Sequence, residues 1–145
     1  MKVKINGAET VKMITTIIFD WGGVLTIGKH SDNIVELLEK KFKAKIKGKK
    51  PRFGSFADKL DRNAITFDEF VNRVNHAYKI NVSVKEMKSV FQRAAILNYK
   101  LLPVIRKLGK NYRVVMLSNN NKTVVTFLRK KQKRMLALFD KIFFS

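Results

Sequence analysis

One short apolar segment, residues 14–19, constrains the fold of this chain more than any other feature. It is made of β-branched and aromatic residues, ends at Asp20, and is followed almost at once by Gly22 and Gly23. Apolar runs that end in glycine-rich turns are typical of buried strands. Ligands of parallel α/β sheets bind at the carboxyl ends of the strands, so this strand would bring a carboxylate to that edge. Asp20 could act there as a nucleophile or a metal ligand, or it could simply cap the turn.

A second apolar segment, Tyr112–Leu117, also ends in polar residues, Ser118, Asn119 and Asn120. Together the two segments resemble motifs of the haloacid dehalogenase (HAD) superfamily, most of whose members are phosphatases with an aspartate nucleophile. Phe19–Leu25 resembles the first motif of that family, a strand that ends in Asp before a glycine-rich turn. Leu117–Asn119 resembles the second motif, a strand that ends in Ser or Thr, often followed by Asn. The resemblance covers the chain from about Met13 to Ser145.

The resemblance implies an α/β fold with a HAD-like Rossmannoid three-layer core, a parallel sheet and an inserted helical cap domain. The core would comprise residues 1–30 and 98–145, and the cap residues 31–97. Roughly 70 residues of helical pattern separate the first two strands, which is too many for a simple crossover. After a strand such as Lys141–Phe144 the family continues to a lysine and an acidic pair, whereas the sequence ends at Ser145. We therefore expect a C-terminally truncated core in which residues 14–19 form an open edge.

The resemblance also assigns a site. Asp20 would be the catalytic nucleophile, and Ser118, Asn119, Gly22 and Gly23 would bind the phosphate group of a small phosphorylated substrate. Mg²⁺ would be held by Asp20 and by the backbone carbonyl of Gly22. The activity implied is phosphomonoester hydrolysis through an aspartyl-phosphate, with dehalogenation as the less favoured chemistry.

Gly22 stands where many family members have a second aspartate, the general acid and base. The absence of this aspartate predicts a reaction rate about 10²–10⁴-fold lower. Together with the missing lysine and acidic pair, this predicts a chain that is weak or inactive by itself.

Local signals predict helices along the rest of the chain. Two capping boxes, in which a hydroxyl residue is followed three positions later by Glu, mark helix starts at Thr66 and Ser83. The other signals are Ser31 as the N-cap of a helix through Phe42, Pro103 in the first turn of a helix that stops at Gly109, and a helix from Thr123. A short strand, Lys141–Phe144, closes the chain.

Composition excludes several classes of function. The chain has no cysteine, which rules out disulfides, thiolate catalysis and cysteine-based zinc sites. No apolar run approaches the roughly 20 residues needed to span a bilayer, and no secretory signal follows the N-terminus, so a cytoplasmic protein with no membrane partner is expected. His30 and His76 are expected at the surface or partly packed rather than in a catalytic role.

The net charge of +20 supports a second hypothesis. Eight of the thirteen residues 40–52 are basic, and residues 129–134 form a second basic run. Such runs could bind nucleic acid or another polyanion, which would make the chain a non-catalytic basic module on a HAD scaffold. They could equally be solvated surface, and the excess of lysine could reflect a genome-wide bias with no bearing on function.

Overall fold

A computed structural model of the chain describes residues 2–5, 8–11, 13–49 and 52–144. A wide turn, Trp21–Leu25, follows the third strand, and a single 3-10 turn, Tyr99–Leu101, precedes the fifth helix. The strands are β1 (Lys2–Ile5), β2 (Ala8–Val11), β3 (Thr16–Phe19), β4 (Arg113–Ser118) and β5 (Lys141–Phe144). The helices are α1 (His30–Phe42), α2 (Phe53–Asp61), α3 (Phe67–Tyr78), α4 (Val84–Ala94), α5 (Leu102–Leu108), α6 (Lys122–Lys131) and α7 (Lys133–Leu136).

Strands β3, β4 and β5 form a parallel sheet in that spatial order. In its register Phe19 lies opposite Met116, and Ser118 lies opposite Phe144. The two motif strands are therefore adjacent and parallel, and the α/β fold class predicted from the sequence is confirmed. Strands β1 and β2 pair with each other in a separate antiparallel hairpin, which the sequence analysis did not predict.

The two faces of the sheet differ in what covers them. Connections between parallel strands are almost always right-handed. Because β3, β4 and β5 follow one another in the same direction across the sheet, the connection from β3 to β4 and the one from β4 to β5 lie on the same face. On that face the ring of Phe19 lies 6.0 Å from that of Phe139, and the Arg129 guanidinium lies over the Phe144 ring. On the other face, alternate strand residues are exposed: Ile18 by 61%, Leu117 by 48% and Phe143 by 43%.

The prediction that residues 14–19 form a buried strand is therefore wrong for the part of the chain described. Ile14 and Ile18 are exposed, and Ile17 and Phe19 are only half-buried. The physical reason is that β3 has one neighbouring strand, β4, in the described sheet and is packed on one face.

Helices α1 to α4 form a helical insert, residues 30–94, between β3 and α5. Its centre is an aromatic cluster in which Phe53, Phe67, Phe70 and Phe91 meet with ring centroids 5.2–6.0 Å apart. Aromatic pairs at such separations stabilise a core beyond the area that they bury. The insert thus has a packed aromatic centre, which is continuous with the hydrophobic core beside the sheet.

Most of the predicted helix starts are confirmed. Thr66 and Ser83 both form complete capping boxes with Glu69 and Glu86. Pro103 lies in the first turn of α5, which ends before Gly109.

The Ser31 cap is wrong. The N-cap lies two residues earlier, at Lys29, which makes no side-chain hydrogen bond, and helix α1 begins at His30. The side chain of Asn33 instead donates to the carbonyls of Ile27 (2.9 Å) and Ala94 (3.0 Å), so tertiary contacts fix the helix start. Helix α2 was not predicted at all.

The segments that lead into and out of the insert run side by side. Thr26 and Leu97 form an antiparallel bridge, the Ile27 amide donates to the Ile96 carbonyl (2.8 Å), and the Asn98 amide donates to the Leu25 carbonyl (2.9 Å). This pairing is compatible with an inserted cap, but the boundaries 31–97 stay a prediction. None of the described helices is long and apolar enough to cross a membrane, and the cytoplasmic location stays a prediction.

Candidate active site

A cleft of about 440 Å³ lies at the carboxyl ends of β3 and β4. Asp20 directly follows the last residue of β3, and Ser118 is the last residue of β4. The cleft is lined by Ile18, Asp20, Trp21, Gly22, Leu117, Ser118, Asn119 and Asn120. Of the predicted site residues, Asp20, Gly22, Ser118 and Asn119 are thus brought together, whereas Gly23 does not line the cleft.

The turn after Asp20 is held in place by Trp21 and Thr26, both almost fully buried. The Thr26 hydroxyl oxygen accepts from the Gly23 amide (3.1 Å) and lies 3.3 Å from the Trp21 carbonyl. Gly23 has φ +75°, in the left-handed region that favours glycine. The Gly23 amide donates to the Thr26 hydroxyl in this structure. Its expected hydrogen bond to phosphate is not tested and stays a prediction. The role of Thr26 in this turn was not predicted from the sequence.

Gly22 differs from Gly23 in its freedom to be replaced. Its backbone, φ −73° and ψ 119°, is open to any residue, and a Cβ added there would meet nothing within 4 Å. The site therefore has room for a side chain at the position where many HAD proteins have their second aspartate.

The Asp20 carboxylate is exposed at the cleft. Its Oδ1 accepts from the Trp21 amide at 2.7 Å. Among the described residues none donates to Oδ2, so this oxygen is available to a ligand. An exposed carboxylate with one fixed and one open oxygen suits either nucleophilic attack or cation binding.

Ser118 is 4% exposed, and its Oγ accepts from Asn120 Nδ2 at 2.7 Å. A serine hydroxyl has one donor hydrogen and two acceptor lone pairs. Because Asn120 uses the oxygen as an acceptor, the hydroxyl hydrogen can donate to an anion in the cleft. Asn120, itself 8% exposed, is a positioning residue to which the sequence analysis gave no role.

Behind the end of β4, the helical insert contacts the N-terminus of α6. Asn121 caps that helix by accepting from the amides of Thr123 and Val124, and its Nδ2 donates to Asp61 Oδ1 of α2 at 2.8 Å. Burial raises the pKa of Asp61, while its hydrogen bonds with Asn121 act in the opposite direction. This contact, which joins the insert to the strand end that carries Ser118, had no local signal in the sequence.

The cleft offers oxygen ligands of the kind that Mg²⁺ prefers. They are the Asp20 carboxylate, the Ser118 hydroxyl and the Gly22 carbonyl, of residues that line the cleft. Among the described residues, no group of three His, Cys, Asp or Glu could hold a metal. Mg²⁺ is often held by one or two carboxylates together with substrate phosphate oxygens. These residues fit Mg²⁺ with one carboxylate, that of Asp20, which is the smaller of these numbers.

Comparisons with known proteins agree on the fold. A HAD family enzyme from Bacteroides thetaiotaomicron, crystallised with magnesium and inorganic phosphate, matches over 90% of this chain and 68% of its own, with a TM-score of 0.69 and 22% identity. A predicted HAD-like family hydrolase from Porphyromonas gingivalis matches over 91% of this chain and 66% of its own, with a TM-score of 0.63 and 20% identity. The HAD-hydrolase YfnB from Bacillus subtilis, bound to magnesium, has a TM-score of 0.55, 18% identity, and coverages of 92% and 64%.

The chain thus has a HAD-like fold and spans about two-thirds of the length of these three proteins. No protein-family model matches it, and no curated protein matches its sequence. The incomplete core expected from the sequence stays a prediction.

Proposed function

We propose that the protein is a HAD-type hydrolase that cleaves small phosphate monoesters with Mg²⁺ and uses Asp20 as its nucleophile. The observation that supports this most is the placement of Asp20 and Ser118 at the ends of adjacent parallel strands, on one cleft. The structurally similar enzyme from Bacteroides thetaiotaomicron, which holds magnesium and inorganic phosphate, supports the choice of cation and substrate class.

The chemistry proceeds in two displacements. A carboxylate oxygen of Asp20 attacks phosphorus, the bond from phosphorus to the alcohol oxygen breaks, and that oxygen takes a proton from water. Water then hydrolyses the aspartyl-phosphate, which releases inorganic phosphate and restores the carboxylate. Ser118 donates its hydroxyl hydrogen to a non-bridging phosphate oxygen. Mg²⁺, when bound, supplies positive charge against the repulsion between carboxylate and phosphate.

No side chain at position 22 protonates the leaving group, because the residue is glycine. The loss of general acid catalysis slows the reaction by about 10²–10⁴-fold. Substrates with good leaving groups, such as aryl phosphates, are therefore the first to try.

The test compares hydrolysis of p-nitrophenyl phosphate by the wild type and by Asp20→Asn, with Mg²⁺ present. Asn has the shape of Asp, and position 20 is exposed, so the variant should fold normally. We expect turnover to fall to the rate of buffer alone. Asp58→Asn, which removes an exposed carboxylate outside the cleft, is the matched control and should keep the wild-type rate. Equal rates for the wild type and Asp20→Asn would remove Asp20 from the mechanism.

A second candidate is binding of nucleic acid or another polyanion without catalysis, which the net charge of +20 supports. In the basic run after α1, the side chains of Lys43, Lys45, Lys47 and Lys49 are exposed. The loop is anchored, because Glu39 Oε1 accepts from the amides of Ile46 (2.6 Å) and Lys47 (2.7 Å). Affinity for a single strand that is independent of salt concentration would contradict this candidate.

A further inference from the structure

A second groove, of about 330 Å³, lies between α4 of the helical insert and α6 beside the sheet. It shares no lining residue with the cleft at Asp20. Its lining consists of four lysines, Lys88, Lys122, Lys130 and Lys131, with Gln92, Thr123, Thr126 and Phe127 between them. Residues far apart in the sequence thus converge on one concave basic surface, which we call the lysine groove.

The charge of the lysine groove is uncompensated. Its lining contains no Asp or Glu. Within the described residues, none of its four lysines makes a salt bridge with a carboxylate; Lys88 Nζ lies instead over the Phe67 ring, 5.7 Å from the centroid. Four like charges in one groove repel one another and raise the local concentration of anions. The surface therefore favours a ligand with several negative charges.

The arrangement of the lysines favours a linear ligand over a single phosphate. Lys122, Thr126 and Lys130 recur every four residues and so follow one side of α6. At 1.5 Å of rise per residue, Lys122 and Lys130 are about 12 Å apart along the helix axis. Along the axis of a double helix one nucleic acid strand carries a phosphate about every 3.4 Å, and a single strand can extend further, so a row of this length is long enough for more than one phosphate of a linear chain.

We infer that the lysine groove binds a linear chain of phosphates, as found in a single nucleic acid strand or in inorganic polyphosphate. The inference rests on the polyanion-binding candidate and gives it a location different from the loop at residues 43–49. Because Lys88 belongs to the insert and the other three lysines to α6, the bound chain would contact both parts of the protein.

Two variants that each remove four positive charges test the location. The groove variant carries Lys88→Gln, Lys122→Gln, Lys130→Gln and Lys131→Gln, and the matched control carries Lys43→Gln, Lys45→Gln, Lys47→Gln and Lys49→Gln. All eight side chains are exposed, so both variants should fold; thermal unfolding checks this, with the double variant Lys122→Gln/Lys130→Gln in reserve. Binding of a fluorescent oligonucleotide is measured by anisotropy over a range of salt concentrations.

We expect the groove variant to bind the oligonucleotide at least tenfold more weakly. The slope of log affinity against log salt concentration should fall in magnitude by about 3, because each phosphate contact with a single strand contributes about 0.7. The control variant in the loop at residues 43–49 should change the affinity and its salt dependence much less. Equal losses in the two variants, or a loss confined to the control, would overturn the groove assignment and leave polyanion binding intact. Failure of the wild type to bind would overturn both.

Two further measurements distinguish the lysine groove from the cleft, and binding of phosphates from binding of bases. p-Nitrophenyl phosphate, the substrate proposed for the cleft, should not displace the oligonucleotide at constant ionic strength, and displacement would place the ligand in the cleft and overturn the inference. Unlabelled inorganic polyphosphate of similar charge should displace the oligonucleotide. Displacement by nucleic acid alone would show that bases are recognised, and would overturn the assignment to a phosphate chain.

Discussion

The helical insert buries its apolar side chains more completely than the parallel sheet does. In the insert Phe70, Val74 and Met87 are fully buried, and helices that are close in sequence cover one another. In the sheet, β3 and β5 each have one neighbouring strand among the described residues, and Ile18 and Phe143 remain exposed. Helices satisfy their backbone internally, whereas a strand depends on elements brought from elsewhere in the chain. The candidate active site lies in the part of the molecule that is less completely packed.

The largest effect is expected from Gly22→Asp, which tests whether the open cleft accepts a new catalytic group. A side chain at Gly22 meets nothing within 4 Å, and a carboxylic acid there could protonate the leaving group. We expect kcat for an alkyl phosphate to rise by about 10²–10⁴-fold. Gly22→Ala, which adds the Cβ without the acid, is the control. A rate that rises equally in the two variants would assign the gain to the backbone rather than to proton transfer.

A large loss of stability is expected from Phe70→Ala in the aromatic cluster of the insert. The Phe70 side chain is fully buried and contacts three other phenylalanine rings. Removing it should lower the free energy of unfolding by about 3–5 kcal/mol, measured by urea denaturation. A loss below about 1 kcal/mol would mean that the insert is not the better packed region.

An intermediate, pH-dependent effect is expected from His30, which closes the start of α1 onto α4. Its Nε2 lies 2.9 Å from the Phe91 carbonyl and its ring packs edge-on to the Phe91 ring. Burial lowers the pKa of His30 from its usual 6.5, against weaker opposite effects of the Phe91 hydrogen bond and of Asp61. The folded pKa is below the unfolded one, so its contribution is present above pH 6.5 and is lost as the pH falls toward the folded pKa.

The slope from this one proton is at most about 1.4 kcal/mol per pH unit. Thermal unfolding between pH 7.5 and 5 should show this fall in stability with decreasing pH in the wild type. The variant His30→Gln, which keeps a donor near Nε2, should not show it. Asp61, which faces His30, titrates with the opposite sign because its pKa is raised, and it is present in both proteins. Parallel curves for the two would exclude His30 as the titrating group.

The smallest effect on stability is expected from Ile18→Thr on the exposed face of the sheet. Ile18 is 61% exposed, so the free energy of unfolding should change by no more than about 0.5 kcal/mol. Self-association in sedimentation experiments should decrease, because an exposed apolar surface favours association with other chains. Met116→Thr, in the buried β4, is the contrasting control and should cost several times more. A large loss with Ile18→Thr would mean that this face is covered in solution.

Features that depend on local chemistry were predictable from the sequence. The capping boxes at Thr66 and Ser83 and the strand ends at Asp20 and Ser118 each require only residues that are near in sequence. Helix α2 was missed because Gly54 and the preceding basic run resemble a loop, although Phe53, Phe56 and Leu60 are buried at helical spacing. That spacing was the signal that could have revealed it.

Of the features that depend on distant residues, the parallel pairing of β3 with β4 was predicted through the family resemblance, and the others were not predictable. The hydrogen bond of Asn121 to Asp61 joins positions sixty residues apart. The exposure of Ile18 depends on which elements cover the sheet and not on the apolar pattern of β3. The lysine groove likewise exists only because α4 and α6 are adjacent in the fold.

The pairing of Leu25–Ile27 with Ile96–Asn98 has a consequence for how such a chain could arise. The positions where the insert leaves and rejoins the rest of the protein are a single hydrogen bond apart, 2.8 Å between the Ile27 nitrogen and the Ile96 oxygen. A gene can therefore gain, lose or exchange everything between them without changing the distance that the remaining chain must bridge. The sheet and its candidate site could be inherited as one unit, and the helices of the insert as another.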